Sequence, residues 1–147
     1  NPARSLRARA LAALARREYT RHELAQKLAY FSEDPAEIPA LLDDFEHRGW
    51  LSEARVVEQV LASRRRRFGA SRIAHELRGK GVADAAIADA RETLKHTELA
   101  AARDVWRRKF KAAPADARAR ARHMRFLQGR GFSLDVIRKV VSGDDDE

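Results

Sequence analysis

The sequence predicts an all-α protein: an elongated tandem array of three three-helix repeats, each helix-turn-helix-like. Three observations carry that prediction. Glycine and proline are scarce, 7 and 4 of 147 residues, while Ala, Leu, Arg and Glu abound, a mixture that favours helices. No stretch alternates apolar and polar residues with the β-branched enrichment of a strand. Most telling is an internal period. Leu24/Leu28, Ile73/Leu77 and His123/Leu127 each stand four apart, and Ile38, Ile87 and Ile137 follow ten residues later, so the copies are offset by 49 and then 50. Tyr19 with Phe68, Gly79 with Gly129, Gly81 with Gly131 and Val82 with Phe132 fall in the same register. A period of this length marks stacked structural units.

Each element follows from local chemistry. In the first copy, residues 5–17 form a helix with Leu11 and Leu14 on its apolar side. Thr20 and Glu23 in "TRHE" make a capping box opening the second helix. The third lies between about 34 and 48, with Ile38, Leu41, Leu42 and Phe45 at helical spacing. "DPAE" offers an Asp34 cap with Pro35 at the first position, but Pro39 would then sit inside the helix, so either the helix begins near Pro39 or its first turn is irregular. Gly49 ends it in a left-handed turn, Trp50 and Leu51 pack back as core anchors, and Ser52 caps the next helix. The second copy is expected over 52–67, 70–78 and 83–95, and the third over 98–111, 115–128 and 133–141. About eight extra residues, Pro114 among them, separate Phe110 from the third "RHMRFL" core; they form a hinge or lengthen a helix. Helices this short are marginal alone in water, so the units must stack. The expected divisions are 5–51, 52–96 and 97–142, followed by an acidic, disordered tail over 143–147. The chain starts at Asn1, not Met, so a leading segment is expected to be trimmed or absent.

Composition excludes several classes of function. Without cysteine there is no disulfide and no thiolate metal site, which fits a cytoplasmic protein. No apolar run is long enough to cross a bilayer. The net charge of +8 is uneven: residues 1–60 hold 9 Lys/Arg against 10 Asp/Glu, residues 61–80 hold 7 against 1, and residues 81–147 hold 14 against 11. Such a field attracts phosphates or an acidic protein surface. Catalytic signals are missing. No two of the five histidines pair at helical spacing, "HEL" at His22 and His75 lacks the second histidine of a zinc hydrolase, and "RGKGV" lacks the rest of a P-loop. No cofactor, metal or enzymatic activity is expected. A helix-turn-helix nucleic-acid binder, a transcription regulator or non-specific DNA binder, is the alternative reading. Asparagine occurs only at Asn1 and the glutamines are scattered, so base-edge readers are few, whereas phosphate contacts by arginine remain open.

The run Arg64–Arg65–Arg66–Arg67 divides by helical geometry. Val57, Val60, Leu61 and Phe68 share one face with Arg64, while Arg66 points the other way. Arg64 is therefore expected to lay its methylenes along the seam and lift its guanidinium to a carboxylate or carbonyl. Arg65, Arg66 and Arg67 are left for solvent or a partner. Arg72, Arg78 and Lys80 either extend that binding face or simply complement a helix C-terminus. The glycine pairs 79/81 and 129/131 are expected to be structural, and Trp106, like Trp50, a core anchor.

From Arg48 to Val82, "RGWLSEARVVEQVLASRRRRFGASRIAHELRGKGV" resembles the RecX regulatory proteins of bacteria, as does the opening "RARALAALARREYTRHELAQKLA". The resemblance spans residues 5–141 and is most specific over 45–90. Gly49, Trp50, Leu51, Glu53 and Arg55 match one family pattern. Arg64, Gly69, Arg72, Ile73, Glu76, Leu77, Lys80 and Gly81 match another. Ala70-Ser71 replaces a frequent proline, and Val56/Val57 stand where an aromatic is common. The resemblance implies a monomeric, non-enzymatic modulator that binds the groove of the RecA–DNA filament and damps ATPase, strand exchange and coprotease activity in DNA repair and the SOS response. It would also touch DNA weakly. That role falls on Arg65, Arg66, Arg67, Arg72, Arg78, Lys80, Arg107, Arg108 and Lys111, presented by a scaffold including Trp50, Leu51 and Phe68.

Overall fold

A computed structural model describes residues 5–143. Among them are nine helices and no strand: α1 (Leu6–Arg16), α2 (Arg21–Ala29), α3 (Glu37–His47), α4 (Glu53–Arg64), α5 (Ala70–Gly79), α6 (Asp84–Leu94), α7 (Glu98–Lys109), α8 (Ala117–Gly129) and α9 (Leu134–Ser142). They gather in threes around three separate apolar cores, and the well-packed helix pairs all lie within one triplet. Leu24, Leu28, Leu42 and Phe45 fill the first core, Ile73, Leu77 and Ile87 the second, Leu127, Ile137 and Val140 the third. Each such side chain contributes roughly 1.5–3 kcal/mol on burial. No helix among the described residues exceeds 13 residues, so these cores, not helix propensity, hold the fold. The chain exposes 9524 Å², against about 7600 Å² for a compact protein of its mass.

The helix starts follow their caps. Ser5, Thr20, Ser52, Asp116 and Ser133 each accept a first-turn backbone N–H, and Thr20 with Glu23 completes the capping box. The third helix starts two residues before Pro39, after a separate turn, and Asp34 is not its cap. Asp34 accepts the Ala36 N–H at 3.1 Å, making a turn through Pro35, and α3 then begins at Glu37. Pro39 is its third residue, where an N–H would lack an intrahelical acceptor anyway.

Several expectations change. The extra residues before α8 form a seven-residue connection, 110–116, and add to the start of a 13-residue α8 where α5 has 10. Phe110 closes back on the third core, its ring 3.7 Å from that of His123 and nearly parallel. Trp50 is no core anchor: Leu51 is buried, but Trp50 is 41% exposed, edge-on to Phe45 with the Arg7 and Arg48 guanidinium groups over its ring. Trp106 does pack on the third core. Its indole N–H donates to Nδ1 of buried His123 at 3.0 Å, so the imidazole proton sits on Nε2. Burial, then the nearby Arg122 charge, holds His123 below the ordinary imidazole pKa. Gly143, expected in the tail, is left-handed and closes α9. The acidic residues Asp144, Asp145, Asp146 and Glu147 lie outside the described residues.

Candidate partner-binding surface

The 49–50-residue period also governs how the units join. The turn between the second and third helices of one repeat docks on the N-terminus of the second helix of the repeat before it. At the first junction, the Thr20 hydroxyl donates to the Lys80 carbonyl, and Gly81 sits so near His22 that a Cβ would lie 2.4 Å from that residue's Cβ. At the second, Gly69 N–H donates to the Arg130 carbonyl at 2.9 Å and Ser71 N–H to that of Gly131 at 3.2 Å. A Cβ on Gly131 would lie 2.6 Å from the Arg72 backbone nitrogen. Both turn glycines have positive φ, +81° and +89°, a conformation glycine adopts at no steric cost. Gly79 and Gly129 do not share this role: their φ values are ordinary and nothing lies where a Cβ would project.

Charge separates the two junctions. At the first, Lys80 pairs with Glu23 at 3.3 Å and Arg55 with Glu18 at 2.8 Å, while Arg55 also donates to the Gly49 carbonyl. Arg21 pairs with Asp43 at 2.7 Å and with Glu46. Burial pushes the Glu23 carboxyl up, but the Thr20 N–H, Lys80 and Arg17 together outweigh it and leave its pKa below the ordinary value.

At the second junction, arginines meet carbonyls, a hydroxyl and rings. Arg72 donates to the Gly129 carbonyl at 3.3 Å, Arg130 to that of Arg67 at 3.4 Å and Arg65 to the Thr97 hydroxyl at 3.2 Å. Arg67, Arg72 and Arg130 surround Phe68 at 5.7, 4.4 and 5.2 Å from its centroid, and Lys109 lies 5.5 Å from that of Phe126. Such contacts order the cations without neutralising them. They border an open groove of about 300 Å³ lined by Arg66, Arg67, Arg108, Lys109 and Arg130, with Val105 and Phe126 as its apolar part. The one lining carboxylate among the described residues, Asp104, is held by Arg108 at 3.2 Å. The cations of this lining are chemically complementary to phosphates or carboxylates.

Of the residues expected to meet a partner, the structure gathers Arg65, Arg66, Arg67, Arg72 and Arg108 at this junction. Lys80 is spent on Glu23 at the other one. Arg78 is exposed at the end of α5, and Arg107 and Lys111 are exposed outside the groove lining. Arg64 meets its expectation, half-exposed with Nε 3.0 Å from Glu76. Among the family-pattern residues, Gly49 is left-handed, Ile73 and Leu77 are core, and a Glu53 carboxylate oxygen accepts the Ala83 N–H at the start of α6.

Sequence reasoning missed Lys109, Phe126 and Arg130, and the exposed arginines Arg118, Arg122 and Arg125 along one side of α8. Two signals were available. Arg130 is the copy of Lys80 fifty residues on, and 118, 122, 125 is helical spacing in plain view.

The segments of the two later repeats match family models described as the second three-helix domain of RecX, over residues 52–90, and the third, over 96–141. Relatives named regulatory protein RecX include one from Leptothrix cholodnii, 53% identical over 99% of this chain and 93% of its own length. Another, from Chromobacterium violaceum, is 45% identical over 98% and 93%. The crystal structure of RecX from Lactobacillus salivarius shares the fold, with a TM-score of 0.81 over 95% of this chain and 94% of that one, at 18% identity. Three triplets of helices joined by a repeated glycine turn, with near full-length identity of this order, mean that the chain belongs to the RecX family of regulatory proteins.

Proposed function

We propose that the chain regulates the RecA recombinase without catalysis, as a monomer in the cytoplasm. It lies along the groove of the RecA–DNA filament and damps ATPase, strand exchange and coprotease activity. The observation carrying this reading is the cationic groove between the second and third repeats, set in an array with more surface than a compact protein of its mass. A body of that kind spans adjacent filament subunits, while Arg66, Arg67, Arg108, Lys109 and Arg130 meet phosphates or an acidic subunit face. Bridging subunits opposes the motions of ATP turnover and needs no reacting group. Weak, sequence-independent contact with DNA follows from the same charges.

Base reading in the helix-turn-helix manner is disfavoured by the third helices, which open with Glu37, Asp84 and Asp135 in their first turns. These acids suit the helix dipole but repel a phosphate backbone where a recognition helix would enter. In addition, the turns before α6 and α9 are occupied by the preceding repeat.

The test is RecA ATPase on single-stranded DNA, with filament co-sedimentation, using the wild-type chain, the triple reversal Arg66→Glu/Arg67→Glu/Arg130→Glu, and Arg91→Glu on the exposed face of α6 as a control. Slowed ATPase and filament binding, lost in the triple variant and kept in the control, are expected. Absence of wild-type binding would remove the reading. Unchanged binding by the triple variant would move the contact elsewhere.

A further inference from the structure

The first repeat carries a second groove that the filament reading does not use. It runs between α1 and the end of α2 and encloses about 440 Å³. One wall is a stripe of α1, with Arg9, Ala12, Ala13 and Arg16 at i, i+3, i+4 and i+7, all within an arc of about 100° and about 10 Å from end to end. The opposite wall is Lys27, Leu28 and Phe31. The floor is aliphatic, formed by Ala13 and fully buried Leu28. At the mouth Phe31 is half-exposed, and Tyr30 beside it is 89% exposed, large apolar surface of a kind that marks contact sites. None of the described lining residues is acidic. Arg16 and Lys27 have no carboxylate partner among the described residues, although repeat 1 is otherwise rich in ion pairs.

A slot two helical turns long, with small residues that allow close approach, an aromatic ring at its mouth and cations on both rims, is complementary to an acidic amphipathic helix. Leucine-type side chains would seat over exposed Ala12 and against half-exposed Phe31, with carboxylates against Arg16 and Lys27. Nucleic acid fits less well. Tyr19 is buried and Arg9 already lies 3.8 Å from the Phe31 centroid, so the lining leaves a base at most one ring face on which to stack. We infer that the α1/α2 groove of the first repeat is a docking site for an acidic amphipathic helix of a protein partner.

Fluorescence anisotropy on the full chain tests this, with no RecA present and no DNA in the peptide titrations, so its outcome is independent of the filament reading. The probe is a labelled peptide of about sixteen residues, leucines at i, i+3, i+4 and i+7 flanked by glutamates. Its controls are a scrambled peptide of identical composition, a Glu→Gln version and an oligo-dT strand. The amphipathic acidic probe is expected to bind at least about tenfold tighter than either control peptide. Arg16→Glu and Lys27→Glu, both at exposed helical positions, should each weaken it about tenfold. Ala12→Gln, which fills the slot without changing charge, should weaken it as well. Circular dichroism verifies that each variant keeps its helices. Equal affinity for the scrambled peptide, or insensitivity to all three substitutions, overturns the inference. So does oligo-dT binding, or self-association of the chain, that these variants abolish while the acidic peptide fails to bind.

Discussion

The two junctions join equivalent surfaces through the same glycine turn, yet they treat charge in opposite ways. Between repeats 1 and 2, Lys80 and Arg55 each reach a carboxylate of the preceding unit. Between repeats 2 and 3, Arg72 and Arg130 reach carbonyls, and no ion pair crosses among the described residues. Capping differs in the same sense. Helix α2 is capped by its own Thr20 and Glu23. Helix α5 opens at Gly69 with no side-chain cap of its own, and its first N–H groups go to repeat 3, Gly69 to Arg130, Ala70 to the Glu98 carboxylate at 2.8 Å and Ser71 to Gly131. Exposed ion pairs contribute only about 0–1 kcal/mol each, so their main effect at the first junction is to cancel the field. The second junction keeps its field at some cost in self-repulsion. Two joints of one design thus serve different ends, one closing a scaffold and the other presenting cations.

The largest test replaces the turn glycines. Gly131→Ala and Gly81→Ala each force a left-handed alanine into contact with the neighbouring repeat. Each is expected to cost on the order of 3 kcal/mol, backbone strain plus overlap, measured by urea unfolding. Only Gly131→Ala should also lower the salt at which the chain leaves a heparin column, because only that turn sets Arg130 in the groove. An equal loss of heparin affinity in both variants would erase the distinction between the junctions.

Next come the caps. Thr20→Val removes a buried hydroxyl that accepts the Glu23 N–H and donates to Lys80, and should cost about 2 kcal/mol. Glu98→Ala leaves the Ala70 N–H without its acceptor and should cost about 1–2 kcal/mol. The loss from Glu98→Ala should appear as faster amide exchange at the start of α5, in the repeat that does not contain Glu98. Exchange changes confined to repeat 3 would refute the borrowed cap.

Acid should loosen the molecule in order. His123 is held neutral, with its folded pKa below 6.5, so the unfolded chain takes the proton first. Its contribution is complete above about pH 6.5 and declines as pH falls through that value toward the lower folded one. Protonation also turns Nδ1 into a donor facing the Trp106 N–H. Glu23 has a folded pKa below 4.5, so its contribution is complete above about pH 4.5 and is lost as pH falls through the depressed value. Trp106 fluorescence in a Trp50→Phe background should therefore change before the first junction does. His123→Leu should abolish the earlier phase, and persistence of that phase would assign it to another group.

Local chemistry made most of the helices and the Arg64–Glu76 pair legible, since capping, spacing and the 100° turn act over a dozen residues or fewer. The period made the three units legible. The groove was not, because Arg66 and Arg67 meet Lys109 and Arg130 only through stacking of units more than forty residues apart. Lys80 misled for the same reason: its charge was visible, while Glu23, 57 residues earlier, gave no local sign of cancelling it. Trp50 misled differently. Both residues after Gly49 are apolar enough for the core, but Leu51 takes the place and the indole rests across Phe45 beneath two guanidinium groups.

The smallest expected effect has the opposite sign and separates the two glycines of each pair. Gly79 and Gly129 end α5 and α8 in ordinary helical conformation with open space where a Cβ would stand. Alanine there restricts the unfolded chain and meets nothing in the folded one, so Gly79→Ala and Gly129→Ala should each stabilise by about 0.5 kcal/mol. The second is the sharper of the two, because the Gly129 carbonyl accepts from Arg72 across the junction. A gain in both variants, with heparin affinity unchanged, would confine the glycine requirement within each pair to Gly81 and Gly131. A loss at Gly129 alone would mean that the backbone there must move when repeats 2 and 3 engage, and the cationic junction would then be the less rigid of the two.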